Sequence, residues 1–214
     1  EKQLFIATHN NLISSRLELN HCILITNNNS TPIQLSELPK STSDFFMKAP
    51  NNNILEYILS EKVILVEGDA EYILLNYFFE IVTGYKINET NIQVMSVGGT
   101  SFKRYLDIAL LNGIKTAVIK DFESNVVNNY TDYQADNISI FSDSNNDNYT
   151  FEICLYNNNI SLCESLFSEG RRSRTVLEYM LSEKAEASLE LLKNGSTSII
   201  VPEYIQQAIL WINE

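Results

Sequence analysis

Hydrophobic and polar positions along this chain sort into short unbroken apolar runs separated by stretches with helical spacing. Val63-Ile64-Leu65-Val66, residues 92–97 and Thr116-Ala117-Val118-Ile119 are the runs. Such runs predict strands buried on both faces. Between them, Tyr72, Leu74, Leu75, Tyr77, Phe78 and Ile81 mark residues 70–83 as an amphipathic helix. Residues 102–111 form a second, with Gly113 placed to cap its C-terminus. Ile54, Leu55, Tyr57, Ile58 and Leu59 give a helical face just before the first run. The order strand, helix, strand, helix, strand predicts an α/β unit, a parallel sheet flanked by helices on both faces. Functional groups in such sheets gather beyond the C-terminal ends of the strands. Glu67, the Gly98-Gly99 turn and Asp121 fall there.

The flanks are less regular. Leu4-Phe5-Ile6-Ala7 and Cys22-Ile23-Leu24-Ile25-Thr26 read as buried strands, with residues 11–19 as a helix between them. Residues 27–50 are rich in Asn, Ser, Thr and Pro and read as a loop or linker with one short helix. A boundary between two units is expected here, giving residues 1–50 and 51–214. Beyond the third run, Ile138-Ser139-Ile140-Phe141 predicts an edge strand, and residues 149–155 a further strand containing Glu152. Residues 159–168, 173–193 and 202–213 predict a helical C-terminal portion, the last helix starting at Pro202, a favoured first-turn residue.

Composition narrows the classes. The 214 residues carry 27 Asp+Glu against 15 Lys+Arg, a formal net charge of -12, with 44% hydrophobic and 20% charged residues. The balance is globular. It excludes a wholly disordered chain and a basic nucleic-acid-coating protein, and anionic lipid would repel it. Charge alone argues against a nucleic-acid enzyme. Cys22, Cys154 and Cys163 have neither disulfide nor zinc spacing; buried thiols in a reducing cytoplasm are the simplest setting. No apolar run approaches the length of a membrane span, so no membrane partner is expected. The chain starts at Glu1 inside an apolar run, from which we expect an excised part of a longer protein.

The candidate chemistry is acidic. Glu67-Gly68-Asp69-Ala70-Glu71 follows a buried strand. A carboxylate beside a glycine at a strand end has an open approach, and Glu71 lies one helical turn further on. Asp69 is read as an acid favoured by the helix dipole; for Glu71 that reading and a site role stand level. Asp121-Phe122-Glu123 places two acids one residue apart after another buried strand. In isolation this is a solvated loop. Joined with Glu67 on the same sheet, it is a carboxylate cluster of the kind that holds a divalent cation, for which magnesium is suited. Glu152 is either a strand acid facing water or a member of that cluster, and Lys184 on a helix is by default a surface lysine. Among basic residues, Lys103-Arg104 follow the Gly98-Gly99 turn. Arg171-Arg172, with Arg174, form the densest positive run, equally a solvated helix start or a phosphate contact.

Taken together, strand-Glu-Gly-x-x-Glu (Glu67, Glu71), Val97-Gly98-Gly99 and strand-Asp-x-Glu (Asp121, Glu123) resemble the Toprim fold, a Rossmann-like parallel sheet flanked by helices. The wider chain resembles the C-terminal part of OLD-family ATP-dependent endonucleases. Ala7-Thr8-His9-Asn10 is similar to the switch-histidine segment ending an ABC-type ATPase domain. Thr150-Phe151-Glu152 is similar to the family's later acidic strand, and Glu183-Lys184-Ala185 resembles its lysine-bearing helix without the usual flanking glycines. The second motif departs from the family's Asp-x-Asp.

The resemblance implies a nuclease that hydrolyses phosphodiester bonds, DNA being favoured over RNA, with Mg2+ or Mn2+ as cofactor. Glu67 would bind metal or act as general base. Asp121 and Glu123 would be metal ligands, Glu71 and Glu152 auxiliary ligands, and Lys184 would stabilise charge at the phosphorus. Lys103, Arg104, Arg171 and Arg172 would contact nucleic acid. His9 would be the remnant of an ATP sensor. The chain has no phosphate-binding Gly-x-x-x-x-Gly-Lys-Ser/Thr loop, so ATP enters only through a missing ATPase portion. Residues 1–50 would end that ATPase domain, and residues 51–214 would be the Toprim nuclease domain with C-terminal helices. A homo-oligomer of the full-length protein, a partner protein supplying grip and a role in phage defence are consistent with relatives of the family. The alternative is a non-catalytic Toprim module for nucleic-acid binding or assembly, which the net charge and the altered second motif favour. A receiver-like domain is not supported, because Glu67-Gly68-Asp69 lacks its acidic pair.

Overall fold

The computed structural model describes residues 6–7, 21–25, 32–48, 54–98, 101–122, 129–169, 173–194 and 198–214. Strands β1 (Ile23–Leu24) and β2 (Ile33–Gln34) form a short antiparallel pair, followed by α1 (Lys40–Lys48) and α2 (Ile54–Leu59). The main unit runs β3 (Lys62–Val66), α3 (Asp69–Thr83), β4 (Ile92–Ser96), α4 (Phe102–Asn112), β5 (Lys115–Ile119) and β6 (Ile138–Phe141). Five helices close it: α5 (Phe151–Asn158), α6 (Ile160–Leu166), α7 (Val176–Ser182), α8 (Lys184–Asn194) and α9 (Glu203–Asn213).

The four longer strands make one parallel sheet in the order β4-β3-β5-β6, so β3 and β5 are central and β6 is an edge, as expected. Side chains alternate between two cores. Ile64 and Val66, with Ala117 and Ile119, pack against α3, α5 and the helices beyond. Val63, Leu65 and Val118 pack against α2, α4 and Phe46 of α1. Burial on both faces explains why these strands read as unbroken apolar runs rather than as alternation. The register Leu65↔Val118 brings the ends of the two central strands level, so the segments after Val66 and Ile119 emerge side by side.

Several expectations need correction. Residues 149–155 are not a strand: Phe151–Asn158 is a helix whose Thr150 hydroxyl accepts a hydrogen bond from the Ile153 N–H. Residues 151 to 155 are all buried, and an apolar run without period does not distinguish a strand from a helix buried all round. Residues 173–193 break into α7 and α8 at Glu183, whose φ of -122° and ψ of 49° are not helical. The expected buried strand at residues 22–26 is reduced to Ile23–Leu24; Ile23 and Ile25 are exposed. Ile6 and Ala7 are exposed and not in a strand, and the remainder of residues 4–7, with the helix expected at 11–19, lies outside the described residues. Gly113 caps α4 in the left-handed region, its N–H donating to the Ala109 carbonyl, as its position implied. Among the described residues no helix is long and apolar enough to cross a membrane.

Candidate active site

Glu67 is the first residue after β3 and is half-buried. Gly68 precedes α3 in extended geometry, and a Cβ there would come within 3.2 Å of Glu71 Oε2. Glycine thus clears the space that the Glu71 carboxylate occupies. Glu71, in the first turn of α3, is only 7% exposed. Burial pushes its carboxyl up to about 7, its own backbone N–H opposes this, and the charges of Asp121 and Glu152 push it further.

Asp121 follows β5 by two residues and is half-buried. Its Oδ1 accepts a 2.7 Å hydrogen bond from the Phe151 N–H at the start of α5. Burial, and then the charge of Glu67, push this carboxyl up to about 6, against the Phe151 hydrogen bond that favours its ionised form. A carboxylate at a helix N-terminus is well placed for the helix dipole, so Asp121 also docks the helix that carries Glu152.

Glu152 is 4% exposed. Both of its oxygens meet the Lys184 ammonium, at 2.9 and 3.0 Å. Lys184 opens α8, immediately after the break at Glu183. Desolvation pulls its ammonium down. The hydrogen bond to Glu152, with the charges of Glu152, Asp121 and Glu71, more than reverses this, so the net shift is upward. Four acids and one lysine from three helices and two strand ends therefore act on one another electrostatically at the C-terminal edge of the sheet. Among the described residues no three metal-binding side chains stand close enough to form a ready-made ion site. The donor set nevertheless fits a hard divalent cation. It consists of carboxylate oxygens, two of them held at a cost in desolvation that a bound cation would offset.

Not every expected residue joins this group. Arg104 turns to α1, donating to Ser41 Oγ at 2.7 Å and Thr42 Oγ1 at 3.1 Å, and lies 4.0 Å from Asp107. Asp107 also accepts from Thr42 Oγ1 and from Tyr133 OH. Lys103 is exposed, with its ammonium over the Tyr130 ring. His9, Glu123, Arg171 and Arg172 lie outside the described residues, as does Gly99; Gly98 begins its turn with φ +63°. Sequence reasoning missed Lys120, which is 9% exposed and whose ammonium also lies over Tyr130. Its signal was a lysine closing an apolar strand directly before the acid.

Residues 58–122 match the family described as overcoming lysogenization defect protein-like, TOPRIM domain. Over these residues the chain is similar to OLD-family Toprim domains. The match spans β3 to Asp121, the segment that supplies Glu67, Glu71 and Asp121. The Old nuclease of Escherichia phage P2 is 29% identical over 136 residues, which is 58% of this chain and 23% of the phage protein. The chain thus spans about a quarter of the length of this curated relative. The Toprim fold recurs in the C-terminal region of the Burkholderia pseudomallei OLD protein, at a TM-score of 0.53 and 18% identity over 72% of this chain and 97% of that one. The C-terminal region of the Xanthomonas campestris pv. campestris OLD protein gives a TM-score of 0.53 at 21% identity, over 73% of this chain and 94% of that one.

Proposed function

We propose that this Toprim domain is the nuclease portion of a longer ATPase–nuclease and hydrolyses phosphodiester bonds in DNA, with Mg2+ or Mn2+ as cofactor. The observation that carries the reading is the electrostatic convergence of Glu67, Glu71, Asp121 and Glu152 at the ends of β3 and β5, with Lys184 on their flank. Asp121 and Glu123 would hold the cation, Glu67 would bind it or act as general base, and Glu71 and Glu152 would be auxiliary ligands. A cation there would lower the pKa of an attacking water and neutralise charge on the leaving oxygen.

The chain's own residues divide the remaining work. The Phe151 N–H fixes one oxygen of Asp121 and leaves the other to a ligand. Gly68 keeps the Glu71 carboxylate unobstructed. Lys184 brings a positive charge to the negative phosphoryl oxygens. Glu67, half-buried at the rim, would accept the proton of the attacking water where it acts as the base rather than as a ligand. In this proposal residues 51–214 are the nuclease domain with its C-terminal helices, and residues 1–50 are the end of an ABC-type ATPase domain and the linker.

Nicking of supercoiled plasmid in Mg2+ or Mn2+ tests the assignment. Wild-type protein should nick, and Glu67→Ala should lose at least about 100-fold, the scale of removing a general base. Equal cleavage by Glu67→Ala would sink it. One observation favours a second reading, a non-catalytic Toprim module: no three metal-binding side chains stand in ion-binding distance among the described residues. That reading expects no divalent-ion binding at Asp121.

A further inference from the structure

The chain between α7 and α8 stops being helical where its own residues favour a helix. Leu181-Ser182-Glu183-Lys184-Ala185-Glu186-Ala187 contains no Gly or Pro and is dominated by strong helix formers. The buried residues Val176, Met180, Ala187 and Leu191 would also share one face of an uninterrupted helix. Glu183 nevertheless leaves helical geometry, with φ -122° and ψ 49°. It still serves both helices. Its N–H donates to the Tyr179 carbonyl of α7, and its carbonyl accepts from the Ala187 N–H of α8, each at 2.9 Å. With local propensity against the break, a tie from outside the turn must hold it.

Arg174 supplies one from the other end of α7. It stands one residue before Thr175, the N-cap, yet its Nη1 donates to Ser182 Oγ at 2.5 Å and to Glu183 Oε1 at 3.0 Å. On the way its guanidinium lies over the Tyr179 ring, 5.4 Å from the centroid, and that ring packs on buried Phe167. The arginine therefore runs along α7 and clasps its last residue and its C-cap. The Thr175–Glu178 capping box fixes the N-terminal end of the same helix, so the tie has a firm anchor. The residue after the clasped Glu183 is Lys184, whose ammonium reaches both oxygens of buried Glu152.

We propose that Arg174 is a positioning residue for Lys184: it fixes Glu183, holds the break between α7 and α8, and so presents the Lys184 ammonium to Glu152 beside the other acids. This assigns Arg174, part of the densest positive run of the sequence, to the build of the site rather than to a phosphate. The use of Lys184 in the reaction rests on the nuclease reading; its placement by Arg174 does not.

Two readouts keep these apart. The first is exchange of the Lys184 ammonium protons with water, followed by proton–nitrogen NMR of the lysine ammonium groups at fixed pH and low temperature. The resonance is identified by its loss in Lys184→Met. An ammonium held by a buried carboxylate exchanges slowly. Arg174→Gln and Glu183→Ala should each speed that exchange several-fold and leave the other lysine resonances unchanged, a selectivity that general loosening of the fold would not give. The second is plasmid nicking. Arg174→Gln should lower kcat about tenfold with KM little changed, the scale of losing an outer partner of a metal site. In a Lys184→Met background it should cost nothing further. Glu183 is exposed, so Glu183→Ala should fold and carry the test even if Arg174→Gln does not. Wild-type exchange at Lys184 in either variant, or an equal loss of kcat in the Lys184→Met background, overturns the positioning role. Exchange as expected with no nicking by the wild type overturns the nuclease reading alone.

Discussion

Glu71 is a carboxyl group in a place where its charge is costly. Its folded-state value of about 7 lies above the ordinary 4.5. Between those values the folded chain keeps a proton that the unfolded chain has lost. Stability therefore falls as pH rises through this window, and below it Glu71 contributes nothing. Glu71→Gln should match the wild type near pH 4 and exceed it at pH 8 by on the order of 2–3 kcal/mol. Urea unfolding at the two pH values checks this; a difference independent of pH would contradict it. The Glu152–Lys184 pair makes the opposite prediction. Glu152 is buried and its partner is half in solvent, so Lys184→Met strands a buried charge. A loss of about 1–2 kcal/mol is expected, below the figure for fully buried pairs because water screens the lysine. Adding Glu152→Gln should restore most of it in the same assay.

At the scale of elements, α5 is tied to the segment just after β5 by the hydrogen bond from the Phe151 N–H to Asp121. Asp121→Asn keeps an acceptor for that N–H and removes a charge that Glu67 and Glu152 oppose. Its melting temperature at pH 8 should equal or exceed that of the wild type, while plasmid nicking is lost. Asp121→Ala should lose nicking and also about 1 kcal/mol, the scale of a lost capping hydrogen bond. Equal destabilisation by both would mean that Asp121 does not dock the helix. The same element marks where sequence reading runs out. β3 and β5 were legible because burial on both faces demands unbroken apolar runs, and α3 because its period is helical. α5 was not: Phe151 to Leu155 are all buried, which erases the period and left Glu152 assigned to a strand. The break at Glu183 that starts α8 at Lys184 has neither Gly nor Pro to announce it.

At the scale of the whole molecule, the described site acids lie on one side of the sheet. Those that follow β3 and β5 were legible, since strand ends in a parallel sheet lie together and the acids sit at them in sequence. The contacts of Lys103 and Lys120 with Tyr130 were not, because Tyr130 reaches them from a loop whose position no local pattern encodes. The net charge of -12, which argued against a nucleic-acid enzyme, thus includes the acids of the candidate site. The central claim is that the acidic cluster is a divalent-cation site. Calorimetric titration of Mn2+ into the wild type and Asp121→Asn at pH 7.5 tests it most directly. The account predicts saturable binding to the wild type with release of a fraction of a proton, from Glu71, and at least about tenfold weaker binding to Asp121→Asn. No binding by the wild type, or equal binding by the two proteins, would contradict it.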